Sequence, residues 1–261
     1  MAEVGIVKTR LQQPEQASQH QEGDARSEAQ DAGKVQGGSE SSRKPYQRSP
    51  VLIIVMGVSG TGKSTLARAI ASTLRVPYIE GDALHPAENI AKMAANIPLS
   101  DADRAPWLAR CRATAERVVR GDRNVEGLVA QEWDGVSWEE AHSRGVVLTC
   151  SSLKRVYREV LRGNVPESAV LSPSAQTPAS ARPPATTLRT VFVYIEGPRE
   201  LLLGRMEARE GHYMKADMLQ SQLDTLESPV GEEDVIRVSA EQNTEEQVGT
   251  AMEELKRFGV L

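Results

Sequence analysis

Residues 51–65 read VLIIVMGVSGTGKST. Val51 to Met56 form an unbroken apolar run, the pattern of a parallel strand buried on both faces. That run feeds directly into Gly57, Val58, Ser59, Gly60, Thr61, Gly62, Lys63 and Ser64, with Thr65 following. The spacing is that of a complete G-x-x-x-x-G-K-[ST] phosphate loop. Its glycines let the chain turn tightly and offer consecutive backbone N–H groups to phosphate oxygens. Lys63 can reach β- and γ-phosphates, and the Ser64 hydroxyl can ligate Mg²⁺. Leu66, Ala67, Ala69 and Ile70 continue as a helix, whose N-terminus favours anions. The strand, loop and helix together make residues 57–65 the candidate ATP site.

The rest of the chain bounds what such a site can belong to. With 261 residues there is room for one large domain or two small ones. The formal net charge of −5 argues against a nucleic-acid binder that works by bulk charge. No apolar stretch approaches membrane-spanning length. The N-terminus lacks the hydrophobic core of a signal peptide, and its acidic residues argue against a mitochondrial presequence. Cys111 and Cys150 both fall in apolar-periodic segments, which favours buried thiols in a reducing, cytoplasmic setting.

Beyond the loop, strand and helix patterns alternate. Strands are expected at Val76–Glu80, Val146–Cys150, Val191–Ile195 and Val235–Ser239. Helices are expected from Pro106 through Val118, around Leu153–Leu161, over Arg199–Glu210, and at the C-terminus with Val248, Ala251, Met252, Leu255 and Phe258 on one face. This order implies an α/β fold, a three-layer arrangement with a parallel sheet of about five strands between helices. Residues 1–48, poor in aliphatics, are expected to form a disordered tail. Residues 121–145, with Trp133 and Trp138, and the Pro-, Ala- and Ser-rich residues 164–189 interrupt the rhythm. Packing is the plainer reading of the two tryptophans.

The region after the second strand carries further chemistry: GDALHPAENIAKM from Gly81, then PLSDADRAPWL from Pro98. Ligands of open parallel sheets bind at the carboxyl ends of strands. Asp82 lies there and can orient and deprotonate an attacking hydroxyl; its alternative is a helix cap. Arg104 can clamp a substrate carboxylate, or pair locally with Asp101 or Asp103. His85 can hydrogen-bond a polyol, or merely cap or pack. The absence of N-K-x-D weakens a GTPase, and the absence of L-S-G-G-Q weakens a transporter-type ATPase. A small-molecule kinase remains, with shikimate or nucleoside monophosphate kinases and a non-catalytic ATP-binding regulator as alternatives.

At these residues the chain resembles the gluconokinase family. The matching stretches are GVSGTGKST, GDALHPAENIAKM, PLSDADRAPWL, CSSLKRVYREVLR, VFVYIEG and RMEAREGHYMKADMLQSQLDTLESP, in order over most of residues 51–238. The resemblance implies a nucleoside-monophosphate-kinase-like kinase domain over residues 49–261, with insertions at 121–145 and 164–189. It implies transfer of the ATP γ-phosphate to the 6-hydroxyl of D-gluconate, whose product feeds the pentose phosphate pathway. Family members are often homodimers. Arg205 and Arg209, four apart, share a helix face that spacing alone reads as solvated and paired with Glu207 or Glu210. The resemblance makes them lid arginines able to neutralise the transferring phosphoryl group. It also brings His212, Gln222 and Lys92 among the substrate-side candidates, although Lys92 reads as solvated on spacing alone. The CSSLK stretch has no acidic residue after its strand, which leaves metal positioning to Ser64 and water, with Asp82 as a further candidate. Two positions depart from the family: Asn96 replaces a usual glycine, and Leu223 a usual aromatic.

Overall fold

A computed structural model describes residues 49–172, 188–208 and 215–261. The expected tail at 1–48, much of the 164–189 segment, and Arg209 and His212 lie outside the described residues.

Strand β1 (Val51–Met56) is buried at all six positions. It sits inside a sheet with β2 (Tyr78–Ile79), β3 (Leu128–Val129), β4 (Gly145–Thr149), β5 (Arg189–Glu196) and β6 (Val235–Ser239), in the order β3-β2-β4-β1-β5-β6. The β2, β4, β1, β5 and β6 strands pair in parallel, which is the expected five-stranded core. β3 is a sixth strand, antiparallel to β2, with Tyr78 opposite Val129. It comes from the 121–145 segment, which the sequence marked only as an interruption. Two residues are too few to show a strand period. The same segment supplies helix α4 (Trp138–Arg144), and the Trp138 indole N–H donates to the Gly121 carbonyl at 3.0 Å. Packing is thus what the structure gives this tryptophan.

The connections leave β1 toward β4 and β2 on one side and toward β5 and β6 on the other. The order therefore reverses at β1, where α/β sheets open a ligand crevice at the strands' carboxyl ends. Helix α1 (Lys63–Leu74) follows β1 and buries Leu66, Ala67, Ile70 and Ala71. After β2 come a single 3₁₀ turn (Gly81–Leu84), α2 (Ala87–Ala94) and the long α3 (Asp101–Val119). The sequence suggested that this last helix starts at Pro106. It starts five residues earlier, because Ser100 and Asp103 form a reciprocal capping box. Pro106 lies in the second turn of α3.

Helix α3 buries Trp107, Leu108, Cys111, Ala115 and Val118 against the sheet. It also buries Arg112, an expensive group unless fully bonded. Its guanidinium donates to the Leu161 carbonyl, the Thr190 hydroxyl and the Leu188 carbonyl, and pairs with Glu116 at 2.8 Å. Helix α5 (Arg155–Arg162) follows β4, α6 (Arg199–Glu207) follows β5, and α7 (Lys215–Thr225) leads toward β6. Helix α8 (Thr244–Arg257) closes the chain under a capping box of Asn243 and Glu246. Cys111 and Cys150 are free, buried thiols, as their setting suggested. Among the described residues no helix is long and apolar enough to cross a membrane.

Candidate active site

The phosphate loop leaves β1 through Gly57 and reaches α1 through Gly62, which takes φ 94° as the left-handed residue before the helix. No side chain caps this helix start and its first turn holds no acidic residue, so its N–H groups and dipole face the loop uncompensated. Inside the loop, the Thr61 hydroxyl and the Lys63 ammonium both donate to the Val58 carbonyl, at 2.9 and 3.0 Å. Gly60 is required by crowding. A Cβ there would stand 2.9 Å from Met206 Cγ and 3.0 Å from the Leu202 carbonyl oxygen, so α6 packs directly behind the loop. Ser64 is half-buried on the inner side of α1, and Thr65 is exposed.

The end of β2 is fastened to the end of β4. A Cβ on Gly81 would fall 1.8 Å from the Thr149 carbonyl oxygen, so only glycine allows this approach. The Gly81 N–H donates to Thr149 Oγ1 at 3.0 Å, and that hydroxyl donates in turn to Glu80. Tyr78 O–H also donates to Glu80, and burial together with this carboxylate pushes the phenol up to about 12. Glu80 is therefore a fixed hydrogen-bond acceptor beside the site, which the sequence reading missed.

Asp82 sits two residues after Glu80. The protein around it raises its pKa by desolvation; Lys63 works against that shift and Glu80 reinforces it. Asp82 is an exposed residue, and the surface it shows lines a cavity of about 120 Å³. Water in that cavity tempers the desolvation without reversing it, so the direction of the shift stands. Ser59, Lys63, His85 and Arg104 line the same cavity. The phosphate loop and the strand-end aspartate thus share one concave space.

The opposite wall is built by α2 and α3. His85 stacks on Trp107 with centroids 4.0 Å apart and planes 15° from parallel. The Trp107 indole N–H donates to the Gly81 carbonyl at 2.9 Å. Burial, with a smaller contribution from Arg104, lowers His85 to about 4 and keeps it neutral. Arg104 donates to the Leu99 carbonyl and lies over the Tyr157 ring at 5.9 Å. Lys92 is held away from the cavity wall by an ion pair with Asp103 at 2.6 Å. Asn96 adopts φ 56°, the left-handed conformation that asparagine tolerates in place of glycine.

Gln222 on α7 reaches across to the phosphate loop, where its Oε1 accepts from the Ser59 N–H at 2.7 Å. Ser151 and Leu153, after β4, complete the floor. Arg158 anchors that floor from behind, donating to the Ser152 and Leu153 carbonyls and pairing with Glu232 at 2.6 Å. Arg205, on α6, donates to the Ala240 carbonyl at 2.6 Å. It does not line the cavity that holds Asp82. The structure thus brings together Ser59, Lys63, Asp82, His85, Arg104 and Gln222.

A phosphate loop on a parallel sheet, with a carboxylate across one cavity from its lysine, defines the class of phosphate-loop kinases of small molecules. No protein-family profile matches the chain. It is, however, 40% identical over 208 residues to the gluconokinase of Gluconobacter oxydans, covering 80% of this chain and 90% of that one. It is 34% identical over 186 residues to the thermosensitive gluconokinase of Escherichia coli K12, covering 71% and 76%. The crystal structure of a gluconokinase from Sinorhizobium meliloti 1021 superposes with a TM-score of 0.56 at 40% identity, covering 81% of this chain and 94% of that one. The chain belongs to the gluconokinase family.

Proposed function

We propose that the protein transfers the γ-phosphoryl group of ATP to the 6-hydroxyl of D-gluconate, giving 6-phospho-D-gluconate and ADP. The observation that carries this reading is the shared cavity of Lys63 and Asp82, in a chain of this family.

In this reading residues 57–65 cradle the triphosphate with backbone N–H groups, and Lys63 meets the charge that spreads over the transferring phosphoryl group. Mg²⁺ would be held by the Ser64 hydroxyl at the start of α1, the substrate's own phosphates and water, with Asp82 as a further candidate. When bound, it supplies charge neutralisation between the phosphates. Asp82 orients the 6-hydroxyl and takes its proton; its raised pKa makes it a better base than an ordinary aspartate. Arg104 is assigned the gluconate carboxylate and His85 a hydroxyl. Arg205, with Arg209, is assigned to the nucleotide side. Two free thiols fit a reducing cytoplasm.

An ADP-release assay across sugar acids, shikimate and AMP tests the reading. Gluconate is expected to stimulate release above every other acceptor. Preference for shikimate or AMP would overturn it.

A further inference from the structure

Among the described residues two histidines occur, and their partners impose opposite tautomers. His142 Nδ1 lies 3.0 Å from the Val119 carbonyl oxygen. A carbonyl only accepts, so the proton of His142 is on Nδ1. His85 Nδ1 lies 3.2 Å from the amide nitrogen of Asn89. The identity of that nitrogen is fixed by its second partner, the Asp103 backbone carbonyl at 2.8 Å. Turning the amide over would set its oxygen against this carbonyl, acceptor against acceptor. One Asn89 hydrogen therefore serves Asp103 and the other points to His85. Nδ1 of His85 must accept, and the neutral ring carries its proton on Nε2.

The arrangement is rigid. Asn89 and His85 are 3% and 5% exposed. Trp107 holds the imidazole flat, and is itself tied to Gly81. Turning the ring over would keep its plane against Trp107 but put a carbon in place of Nδ1 opposite Asn89, and so lose that bond. Asp82, in the same cavity, is an acceptor when ionised.

We infer that Asn89 is a positioning residue: by occupying Nδ1 it leaves Nε2–H as the one polar group His85 can offer a substrate, always as a donor. The site then demands an oxygen acceptor at that point, while Asp82 demands a hydroxyl proton. A polyol satisfies both, and an acid deoxygenated opposite His85 does not. The identity of the sugar acid rests on the proposed function; the tautomer does not.

The test is a long-range ¹H–¹⁵N spectrum of the full-length, histidine-labelled chain at alkaline pH, assigned with single His→Gln variants. His85 is expected as the Nε2–H form and His142 as the Nδ1–H form, an internal reference. In Asn89→Asp the carboxylate can only accept, so His85 inverts to Nδ1–H while His142 stays. In Asn89→Ala, His85 becomes a mixture, which keeps the test open if the charged variant fails to fold. With gluconate, Asn89→Asp raises KM by up to about tenfold, the upper scale of one hydrogen bond, Asn89→Ala raises it by less because part of its His85 keeps Nε2–H, and both leave KM for ATP unchanged. A wild-type His85 protonated on Nδ1, a tautomer unmoved in Asn89→Ala, or both KM values rising together would overturn the inference. If the wild-type protein ignores gluconate but shows the expected spectra, the functional reading fails and the positioning role stands, with the KM measurement moved to whichever acid is turned over.

Discussion

The side-chain oxygen of Gln222 accepts the backbone N–H of Ser59 at 2.7 Å, so α7 is latched onto the phosphate loop. One such bond contributes about 1 kcal/mol. In Gln222→Leu, amide exchange over residues 218–225 is expected to quicken about fivefold, the equivalent of that energy in local opening. Unchanged protection there would show that the latch does not hold the helix.

The acid side of the pH–rate profile reports the base. Asp82 must be ionised to accept a proton, and its pKa lies above the ordinary aspartate value, so kcat/KM rises with pH through that raised value. Glu80 contributes part of the upward shift by like charge. Glu80→Gln is therefore expected to move the acid limb to lower pH, even if the rate itself falls. A limb that stays in place, or moves up, would mean that Asp82 is not the group being titrated.

His85 links stability to pH. Its folded value is about 4, against an ordinary 6.5, so between these pH values the unfolded chain binds the proton and the folded chain does not. Stability is then lost as pH falls through this window, and rises with pH up to about 6.5. The scale is on the order of 2 kcal/mol after allowance for partial solvation. Urea midpoints measured across the window should show a shallower slope in His85→Phe than in the wild type. Equal slopes would place the titration elsewhere.

Arg158 is buried and bonded to two carbonyls of the cavity floor and to Glu232. Removing one partner of a buried pair costs roughly 3–5 kcal/mol. Because Glu232 keeps Arg162 at 2.5 Å, Arg158→Met should fall near the lower end of that range, about 3 kcal/mol by urea unfolding. A loss under about 1 kcal/mol would mean the floor is held by other contacts.

Much of this was readable from the chain. An apolar run ending in a glycine-rich loop declares both a buried strand and an anion site, and strand-end Asp82 follows from the same logic. What escaped has physical reasons. The two-residue β3 is too short for a period, and Pro106 disguised a helix start that the Ser100–Asp103 pair in fact set. Glu80 looked like an ordinary strand-end carboxylate, because its partner Thr149 meets it only when β2 and β4 pair, and Tyr78, two residues before it, is no signal by itself. The Ser100 and Asp103 spacing was a usable capping signal. Nothing local marks Glu80, Asn89 or the Ala240 carbonyl that receives Arg205.

The central claim is that the phosphate loop and Asp82 act on one substrate in one cavity. Gluconate-stimulated ADP release in Lys63→Ala and Asp82→Asn, with melting temperatures checked against the wild type, tests it most directly. Turnover is expected to fall at least about a hundredfold in each variant while both remain folded. Near-normal turnover in either folded variant would contradict it.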